Sequence, residues 1–422
     1  MSAAIPEGGG VGRDETGTDA STVARSSALK RTLRTPFYRA AALAMFLSGL
    51  GFSAAAPQIA SFLVNDLGAS LPVAGLFYLT TLTAPLAGYI IGARSDRTGR
   101  RLGLFRWCAV LGFVGWSAIA FSTELWMPFA ISAVVLGFAG AATSQLFAAL
   151  HDELARTPSG NNDGVIAIVR MALTAGWIVG PVAGAFVAAQ FGARTLLFAT
   201  ALCTLAQVLP LGTLRTPPSS SHESEVVGAL KFVGFTAMKP LLLFTVLYIC
   251  VYAGESIKYA YLPIYMNSQL MLAPALSGAI IGIQPLVELI LMPVAVVLAR
   301  RTGILRLMVV AAGLGIGANL CFALTGTAIG LFAGQVLMGG VWGVFAALGI
   351  IVAQRLLPTA VATASGIFLS SAALSSALGG VTGGLGTEAL GLPLVFLIPA
   401  GFALIATVGL LMMTRTRYAQ GL

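Results

Sequence analysis

The stretch "GARSDRTGRR", from Gly92 to Arg101, decides the fold class of this protein. Its ten residues hold five charges and two glycines, although only 9% of the 422 residues are charged. Apolar runs flank the stretch on both sides. A charged turn between two apolar runs indicates a loop at a membrane surface, because charge is costly inside the hydrocarbon.

The composition of the whole chain also indicates a membrane protein. Hydrophobic residues make up 57% of it and the mean hydropathy is +0.91, which is more apolar surface than a water-soluble core can bury. The net charge of +9 comes from short basic clusters between apolar runs, a pattern typical of contacts with anionic lipids and not with nucleic acid. The four cysteines lie within apolar segments and lack the spacing of a metal site, so no metal or cofactor is expected.

Twelve runs are long and apolar enough to cross the bilayer, which takes about 20 residues of helix. They lie at 38–64, 70–93, 103–122, 125–151, 163–190, 195–214, 240–265, 273–299, 304–325, 328–354, 359–386 and 391–414. We therefore predict an all-α membrane protein with twelve transmembrane helices.

Lysine and arginine residues are distributed unevenly between the two sides of the predicted membrane domain. If the N-terminus is cytoplasmic, only Arg194 of the 24 basic residues faces outward, while Arg170 and Lys258 lie inside spans. The positive-inside rule then places both termini in the cytoplasm. The expected location is the bacterial inner membrane, which the chain crosses many times.

Polar segments divide the chain into five parts. Residues 1–36, rich in Gly, Ser, Thr and charge, are predicted to form a disordered cytoplasmic tail. The longest polar interruption, "RTPPSSSHESE", lies between spans six and seven and predicts a cytoplasmic linker over 215–238. It separates an N-terminal six-helix bundle, 37–214, from a C-terminal bundle, 239–414, and a short cytoplasmic tail, 415–422, follows. "ARSDRTGRRLGLF" after the second span has a weak counterpart, "ARRTGILRLMV", after the eighth, as a duplicated bundle predicts.

The opening stretch has a pattern with a known counterpart. Gly92-x-x-x-Asp96-Arg97-x-Gly99-Arg100-Arg101 resembles, at every defined position, the signature loop between helices two and three of the major facilitator superfamily. The resemblance implies the major facilitator fold of two six-helix bundles. We expect Gly92 to let the second helix approach a neighbour closely, Asp96 to cap a helix or pair with a cation, and the arginines to meet lipid phosphates. The loop is expected to bias a conformational equilibrium without touching the substrate.

Further stretches narrow the resemblance within that superfamily. Seven stretches are similar to bacterial sugar efflux transporters of the SET type. They are "APQIASFL", "AGLFYL", "SQLFAALHDELA", "VRMALTAGWIVGPVAGAFVA", "LPIYMNSQL", "SGAIIGIQPLVELILMP" and "ATASGIFLSSAALSSALGGV". The similarity implies export of lactose, glucose and related glycosides in exchange for protons. Gln58 and Gln145, in two of these stretches, are candidate substrate-binding residues.

The fifth span supports a second interpretation. Gly176-x-x-x-Gly180-Pro181-x-x-Gly184 resembles the helix-five antiporter signature of drug exporters, so a multidrug/proton antiporter is the alternative function. The fourth span, "MPFAISAVVLGFAGAATSQ", lacks the arginine that drug exporters usually carry there.

Charged residues inside the predicted spans are candidate functional residues, because a charge at the bilayer centre costs about 2.5–3.5 kcal/mol even on insertion scales. Arg170, Thr174 and Trp177 recur at spacings of four and seven and share one helix face. A guanidinium, a hydroxyl and an indole on one face suit a sugar, which needs fixed hydrogen-bond partners and an aromatic surface for its ring. Alternatively, Arg170 pairs with an acid and only holds the bundles together.

The remaining charged residues lie in spans seven and eight. Glu288 lies one turn after Gln284 and matches a glutamate of the SET-type pattern, so we predict that it carries the transported proton and that Gln284 binds substrate. Glu255 and Lys258, three residues apart, are candidate substrate-binding residues and, equally, a local ion pair without contact to substrate.

The sequence disfavours an enzyme. It contains no Walker A loop, no H-E-x-x-H and no cluster of cysteine and histidine at metal spacing. The energy for transport is therefore expected to come from an ion gradient. The expected partners are a small sugar, protons and anionic membrane lipids, and the protein is expected to act as a monomer.

Overall fold

The computed structural model describes residues 28–156, 162–212, 214 and 235–416. Within these ranges the chain is helical, contains no strand, and includes twelve helices that are long and apolar enough to cross a membrane. They are α1 Pro36–Asn65, α2 Leu71–Thr98, α3 Arg101–Ala120, α4 Trp126–Arg156, α5 Asn162–Phe191, α6 Ala193–Leu211, α7 Met238–Ser268, α8 Pro274–Thr302, α9 Ile304–Leu324, α10 Ala328–Leu356, α11 Thr363–Ala389 and α12 Leu394–Thr414. The predicted fold class is confirmed.

Among the helices that line the cavity described below, three contain a change of helical type or a break. α1 consists of Pro36–Ala55 and Ile59–Asn65, joined by a turn. α2 contains a 3₁₀ stretch, Phe77–Thr83, and α4 contains a π turn, Ser132–Leu136. These irregular stretches lie in the middle of the N-terminal bundle and border the cavity described below.

Helical structure begins before the predicted end of the N-terminal tail. Residues 28–34 are helical, Ala28 and Thr32 are buried, and the Thr32 hydroxyl donates to the Ala28 carbonyl at 3.0 Å. The predicted tail, 1–36, therefore includes a helical segment at its C-terminal end. Residues 1–27, most of the predicted linker, and residues 417–422 lie outside the described ranges.

The helices pack as two bundles with the same internal arrangement. In the first bundle α1 packs on α5 and α6, α3 packs on α4 and α6, and α2 packs on α4. In the second bundle α7 packs on α11 and α12, α9 packs on α10 and α12, and α8 packs on α10. Adding six to each helix number converts the first set of contacts into the second, as an internal duplication requires.

The turns after α2 and α8 support the same duplication. Each helix ends at a glycine with positive φ, 61° at Gly99 and 89° at Gly303. Glycine adopts a positive φ without the steric cost that a side chain would bring. Both helices thus end at a glycine with positive φ, while ψ differs, 5° at Gly99 and 139° at Gly303.

The glycines of the fifth helix allow α1 and α5 to approach closely. A Cβ atom placed on Gly180 would lie 2.7 Å from the Leu50 carbonyl oxygen, and one on Gly184 would lie 2.6 Å from the Ala54 carbonyl oxygen. Small residues at such positions let helix backbones pack where the hydrophobic effect offers no driving force.

The two bundles meet mainly at one end of the molecule. We call it the opposite end; it carries the turns at 66–70, 121–125, 192, 269–273, 325–327 and 390–393. The other end, which carries the turns at 99–100, 303 and 357–360 and residues 28 and 416, where the described chain begins and ends, is the basic end. α11 packs closely against the Leu71–Thr83 half of α2 and only slightly against Ala84–Thr98, and the Ile59–Asn65 segment of α1 packs on α7.

Glycines also form the contacts between the bundles at the opposite end. A Cβ atom on Gly380 of α11 would lie 2.5 Å from the Gly75 carbonyl oxygen of α2, and one on Gly278 of α8 would lie 2.6 Å from the Val182 Cα of α5. The Tyr261 hydroxyl of α7 donates to the Leu71 carbonyl oxygen at 3.1 Å. The bundles are therefore closed at the opposite end and diverge toward the basic end.

Candidate substrate cavity

A cavity of about 640 Å³ lies between the two bundles. Its volume is within the range of sites that hold small organic ligands. Residues of α1, α2, α3, α4 and α5 line one side, and residues of α7, α8, α10 and α11 line the other. Any ligand in it would therefore contact both bundles at once.

A buried polar network forms part of the C-terminal wall. The Lys258 ammonium donates to Glu255 Oε2 at 2.6 Å and also to Gln284 Oε1. Glu255 Oε1 accepts hydrogen bonds from the Trp342 indole and, at 3.3 Å, from Gln284 Nε2. The ion pair that the spacing of Glu255 and Lys258 suggested is present, and it also ties α7 to α8 and α10.

The members of this network differ in their access to the cavity. Glu255, Gln284 and Trp342 line it, whereas Lys258 is only 1% exposed and is not among the lining residues. A buried charge is tolerated when it is paired and hydrogen-bonded, and Lys258 supplies that partner to Glu255. Its ammonium thus faces Glu255 and Gln284, and the prediction that Lys258 itself contacts substrate is not supported.

The α5 residues predicted to share one face do line the cavity together. Arg170, Thr174 and Trp177 lie on its N-terminal wall, and the Arg170 side chain is exposed. The Thr174 hydroxyl donates to the Arg170 carbonyl oxygen at 3.3 Å, and the Trp177 ring packs 5.5 Å from the Phe52 ring. The guanidinium and the indole are therefore held on one surface.

Glu288 of α8 lines the cavity from the other bundle. Its carboxylate is half-buried and lies within range of electrostatic interaction with Arg170, Lys258 and Glu255. No ion pair involves Glu288 within 4 Å among the residues described. It is thus a carboxyl group on the cavity surface without a fixed cationic partner, in contrast to Glu255.

Comparison with known proteins decides the family. The sequence pattern of the Major Facilitator Superfamily matches residues 41–328 and 244–421. The chain belongs to the Major Facilitator Superfamily.

Its relatives and structural neighbours agree with this assignment. A protein of Deinococcus radiodurans provisionally named a sugar efflux transporter is 27% identical over 383 residues, which are 88% of this chain and 97% of that protein. Sugar efflux transporter A of Escherichia coli is 24% identical over 374 residues, 87% of this chain and 94% of that protein. The crystal structure of the nucleoside transporter NupG (D323A mutant) has a TM-score of 0.79 at 17% identity and covers 90% of this chain and all of that one. The last similarity concerns the fold alone.

The superfamily loop is held by a network of ion pairs and hydrogen bonds. Arg101 Nη1 lies 2.6 Å from Asp96 Oδ1 and 2.9 Å from Ser95 Oγ, and Arg101 Nε lies 3.1 Å from Asp152 Oδ2. Arg101 therefore joins α2, α3 and α4, while Arg97 and Arg100 are exposed at the basic end. The expected pairing of Asp96 with a cation is present.

The expectation for Gly92 is wrong in this conformation. A Cβ atom placed on Gly92 would meet no atom within 4 Å. The physical reason is that α2 and α11 diverge toward the basic end, so this part of α2 has no close helical neighbour across the bundle interface.

Two glutamines predicted to bind substrate lie elsewhere. Gln145 is buried and accepts a hydrogen bond from Ser95 Oγ at 2.5 Å, so it belongs to the loop network near Arg101. Gln58 is buried at the turn that divides α1 and is not among the residues that line the cavity. Neither glutamine lines this cavity, and a role for them in substrate binding stays a prediction.

Aromatic residues of the C-terminal wall were not predicted as site residues. The Tyr252 and Trp342 rings pack edge to face with centroids 4.9 Å apart, and the Tyr248 ring stacks on Tyr252 at 6.0 Å. The sequence did contain one signal for Trp342, because an indole N–H inside a span must find an acceptor and Glu255 is one of few available.

Proposed function

We propose that this protein is a secondary transporter that exports sugars or glycosides across the inner membrane in exchange for protons. The observation that carries the proposal is the cavity between two bundles of equivalent packing, lined by rings and by fixed polar groups and closed at one end. Alternating access requires such a site at the interface of the repeats. The names of the sugar efflux relatives support the substrate class.

The chemistry of the cavity walls suits a sugar. A pyranose has apolar faces that stack on aromatic rings, such as those of Trp177, Trp342 and Tyr252. Its hydroxyl groups both donate and accept hydrogen bonds, and Arg170 can donate while Glu255 and Glu288 can accept. Because the donors and acceptors lie on different bundles, a bound sugar would bridge the two.

Glu288 is the residue that we propose to carry the proton. Its carboxylate lies on the cavity surface, whereas Glu255 accepts hydrogen bonds from Lys258 and two further donors. Desolvation favours the neutral form of a carboxyl group, and a nearby Arg170 favours the charged form. Protonation of Glu288 would therefore respond to what occupies the cavity.

The orientation of the protein fits export. The basic end, toward which the bundles diverge, is expected to face the cytoplasm by the positive-inside rule. Exposed arginines there, including Arg97 and Arg100, would contact anionic lipid headgroups. In this orientation the described conformation admits a cytoplasmic sugar, and we expect a monomer to suffice, because one chain holds the whole cavity.

Counterflow of labelled lactose in proteoliposomes, with and without a pH gradient, tests the proposal. Arg170→Lys should weaken lactose binding, because an ammonium cannot reproduce the planar fork of the guanidinium. Glu288→Gln should abolish transport driven by a pH gradient and leave pH-independent counterflow, since the amide resembles only the protonated acid. Arg300→Lys and Glu124→Gln, at exposed positions outside the cavity, are the matched controls.

The opposite result would point to the other function. If both cavity variants keep wild-type counterflow and pH-driven transport, and cationic hydrophobic dyes are the better substrates, the sugar assignment and both residue roles are wrong. The multidrug antiporter suggested by the helix-five motif would then be the better interpretation.

A further inference from the structure

A second polar surface lines the cavity on the N-terminal bundle, away from Arg170 and Trp177. We call it the hydroxyl wall; it consists of Tyr78, Thr80, Thr81 and Ser132, all of which line the cavity. Thr80 and Ser132 are themselves buried. None of the roles assigned above involves these residues.

The hydroxyl wall is formed where two helices depart from α-helical geometry. Tyr78, Thr80 and Thr81 lie in the 3₁₀ stretch Phe77–Thr83 of α2, and Ser132 begins the π turn Ser132–Leu136 of α4. Single π turns and 3₁₀ segments inside helices are uncommon and frequently mark functional positions. Here the two irregular stretches face each other and turn hydroxyl groups toward one space.

The hydrogen bonds within the wall determine which atoms remain free for a ligand. The Thr80 hydroxyl donates to the Phe77 carbonyl oxygen at 2.7 Å and lies 2.7 Å from Ser132 Oγ. A hydroxyl group has a single proton, so Ser132 must be the donor to Thr80, and its own lone pairs remain available. Thr81 likewise donates to the Tyr78 carbonyl oxygen at 2.7 Å. Ser132 and Thr81 therefore present acceptors to the cavity.

Tyr78 supplies the wall with a donor. Its hydroxyl group is buried and has no hydrogen-bond partner within the described part of the chain. Tyr78 lies near Tyr259 and Tyr261 of α7, and a Cβ atom on Gly380 would lie 3.0 Å from its Cβ, so it lies at the closed end of the cavity. A buried hydroxyl without a partner is rare, and a ligand hydroxyl would satisfy it.

We propose that the hydroxyl wall is a second binding subsite, which holds the second ring of a disaccharide or glycoside. The inference rests on the proposed sugar transport, in which the first ring lies against Arg170, Trp177 and the C-terminal wall. Several acceptors beside one donor match an uncharged polyol, whose hydroxyl groups both donate and accept. A phosphate on the second ring is excluded, because its oxygens would face acceptor lone pairs.

Binding of lactose and glucose to the purified full-length protein, measured by calorimetry, tests the subsite. Tyr78→Phe and Ser132→Ala should each lower the affinity for lactose about 5- to 10-fold, as expected for the loss of one hydrogen bond. Their affinity for glucose, which needs only the first subsite, should stay within about twofold of the wild type.

Matched controls come from the same two helices. Tyr89→Phe changes an exposed tyrosine of α2, and Ser144→Ala removes a hydroxyl of α4 that donates to the Ala141 carbonyl oxygen outside the cavity lining. Both control variants should bind lactose as the wild type does. Thermal unfolding midpoints of the two controls and of Tyr78→Phe and Ser132→Ala show whether each variant is folded.

Several outcomes would overturn the inference. Equal losses for lactose and glucose, or unchanged lactose binding by Tyr78→Phe and Ser132→Ala, would each remove the second subsite and leave sugar transport standing. A wild-type protein that binds neither lactose nor glucose would instead refute the proposed sugar transport, and the subsite with it.

Discussion

At the scale of single residues, the stability of the C-terminal bundle depends on the Glu255–Lys258 pair. Lys258→Met should destabilise the protein by about 3–5 kcal/mol, because it leaves the Glu255 carboxylate buried without its cation. The double variant Glu255→Gln with Lys258→Met removes both charges at similar volume and should recover most of that loss. Thermal or denaturant unfolding in detergent measures both effects.

A direct contact of Lys258 with substrate predicts a different result. In that case the double variant would bind lactose more weakly than Glu255→Gln alone. If Lys258 only positions Glu255 and Gln284, the double variant should bind lactose as Glu255→Gln does, while Lys258→Met fails through unfolding. Glu124→Gln, at an exposed turn, is the control for unfolding.

The sequence predicted contacts along one helix better than contacts between helices. The spacing of three residues identified the Glu255–Lys258 pair, because it places both side chains on one face. No comparable rule links Glu255 to Trp342, which is 87 residues away on another helix. For the same reason Gln145 seemed available for substrate, although Ser95 and the loop network occupy it.

At the scale of helices, closure of the opposite end depends on backbone contact between α2 and α11. Gly380→Ala would place a methyl group 2.5 Å from the Gly75 carbonyl oxygen, so the two helices must separate. We expect this variant to open the cavity toward the opposite end. Gly366→Ala, in the same helix, is the control, because a Cβ atom there meets nothing within 4 Å.

A cysteine in the cavity reports the opening. With Met292→Cys as the target, a membrane-impermeant maleimide applied from the side of the opposite end should react faster in the Gly380→Ala background than in the Gly366→Ala background. Equal labelling in the two backgrounds would mean that the glycine contact does not control closure.

The twelve helices themselves were predictable, whereas their irregular stretches were not. Apolar content over about 20 residues is enough to identify a span, since a helix of that length satisfies its own backbone hydrogen bonds in lipid. The 3₁₀ stretch of α2 and the π turn of α4 lie inside such apolar spans and do not interrupt them. Their positions depend on packing within the N-terminal bundle, so the hydroxyl wall could not be inferred from hydropathy.

At the scale of the whole molecule, the two bundles meet through contacts that follow the same symmetry as the bundles themselves. α2 packs on α11, and α5 packs on α8. The internal duplication relates each helix of one bundle to the helix six positions away in the other bundle, so α2 corresponds to α8 and α5 to α11. This correspondence turns the α2–α11 contact into the α8–α5 contact. The interface is thus built twice from one pattern, which permits the bundles to rock about the cavity between alternative arrangements.

The side of the membrane toward which the cavity opens in the described conformation depends on the orientation of the protein. An impermeant maleimide applied to intact cells should label Glu124→Cys, which lies in an exposed turn at the opposite end. It should label Ser220→Cys, in the predicted linker, only after the membrane is permeabilised. The unsubstituted protein is the control, because Cys108 is buried and the other three cysteines are half-buried within the spans. Labelling in the reverse order would turn the basic end outward against the positive-inside rule, and the predicted cytoplasmic location of both termini would be wrong.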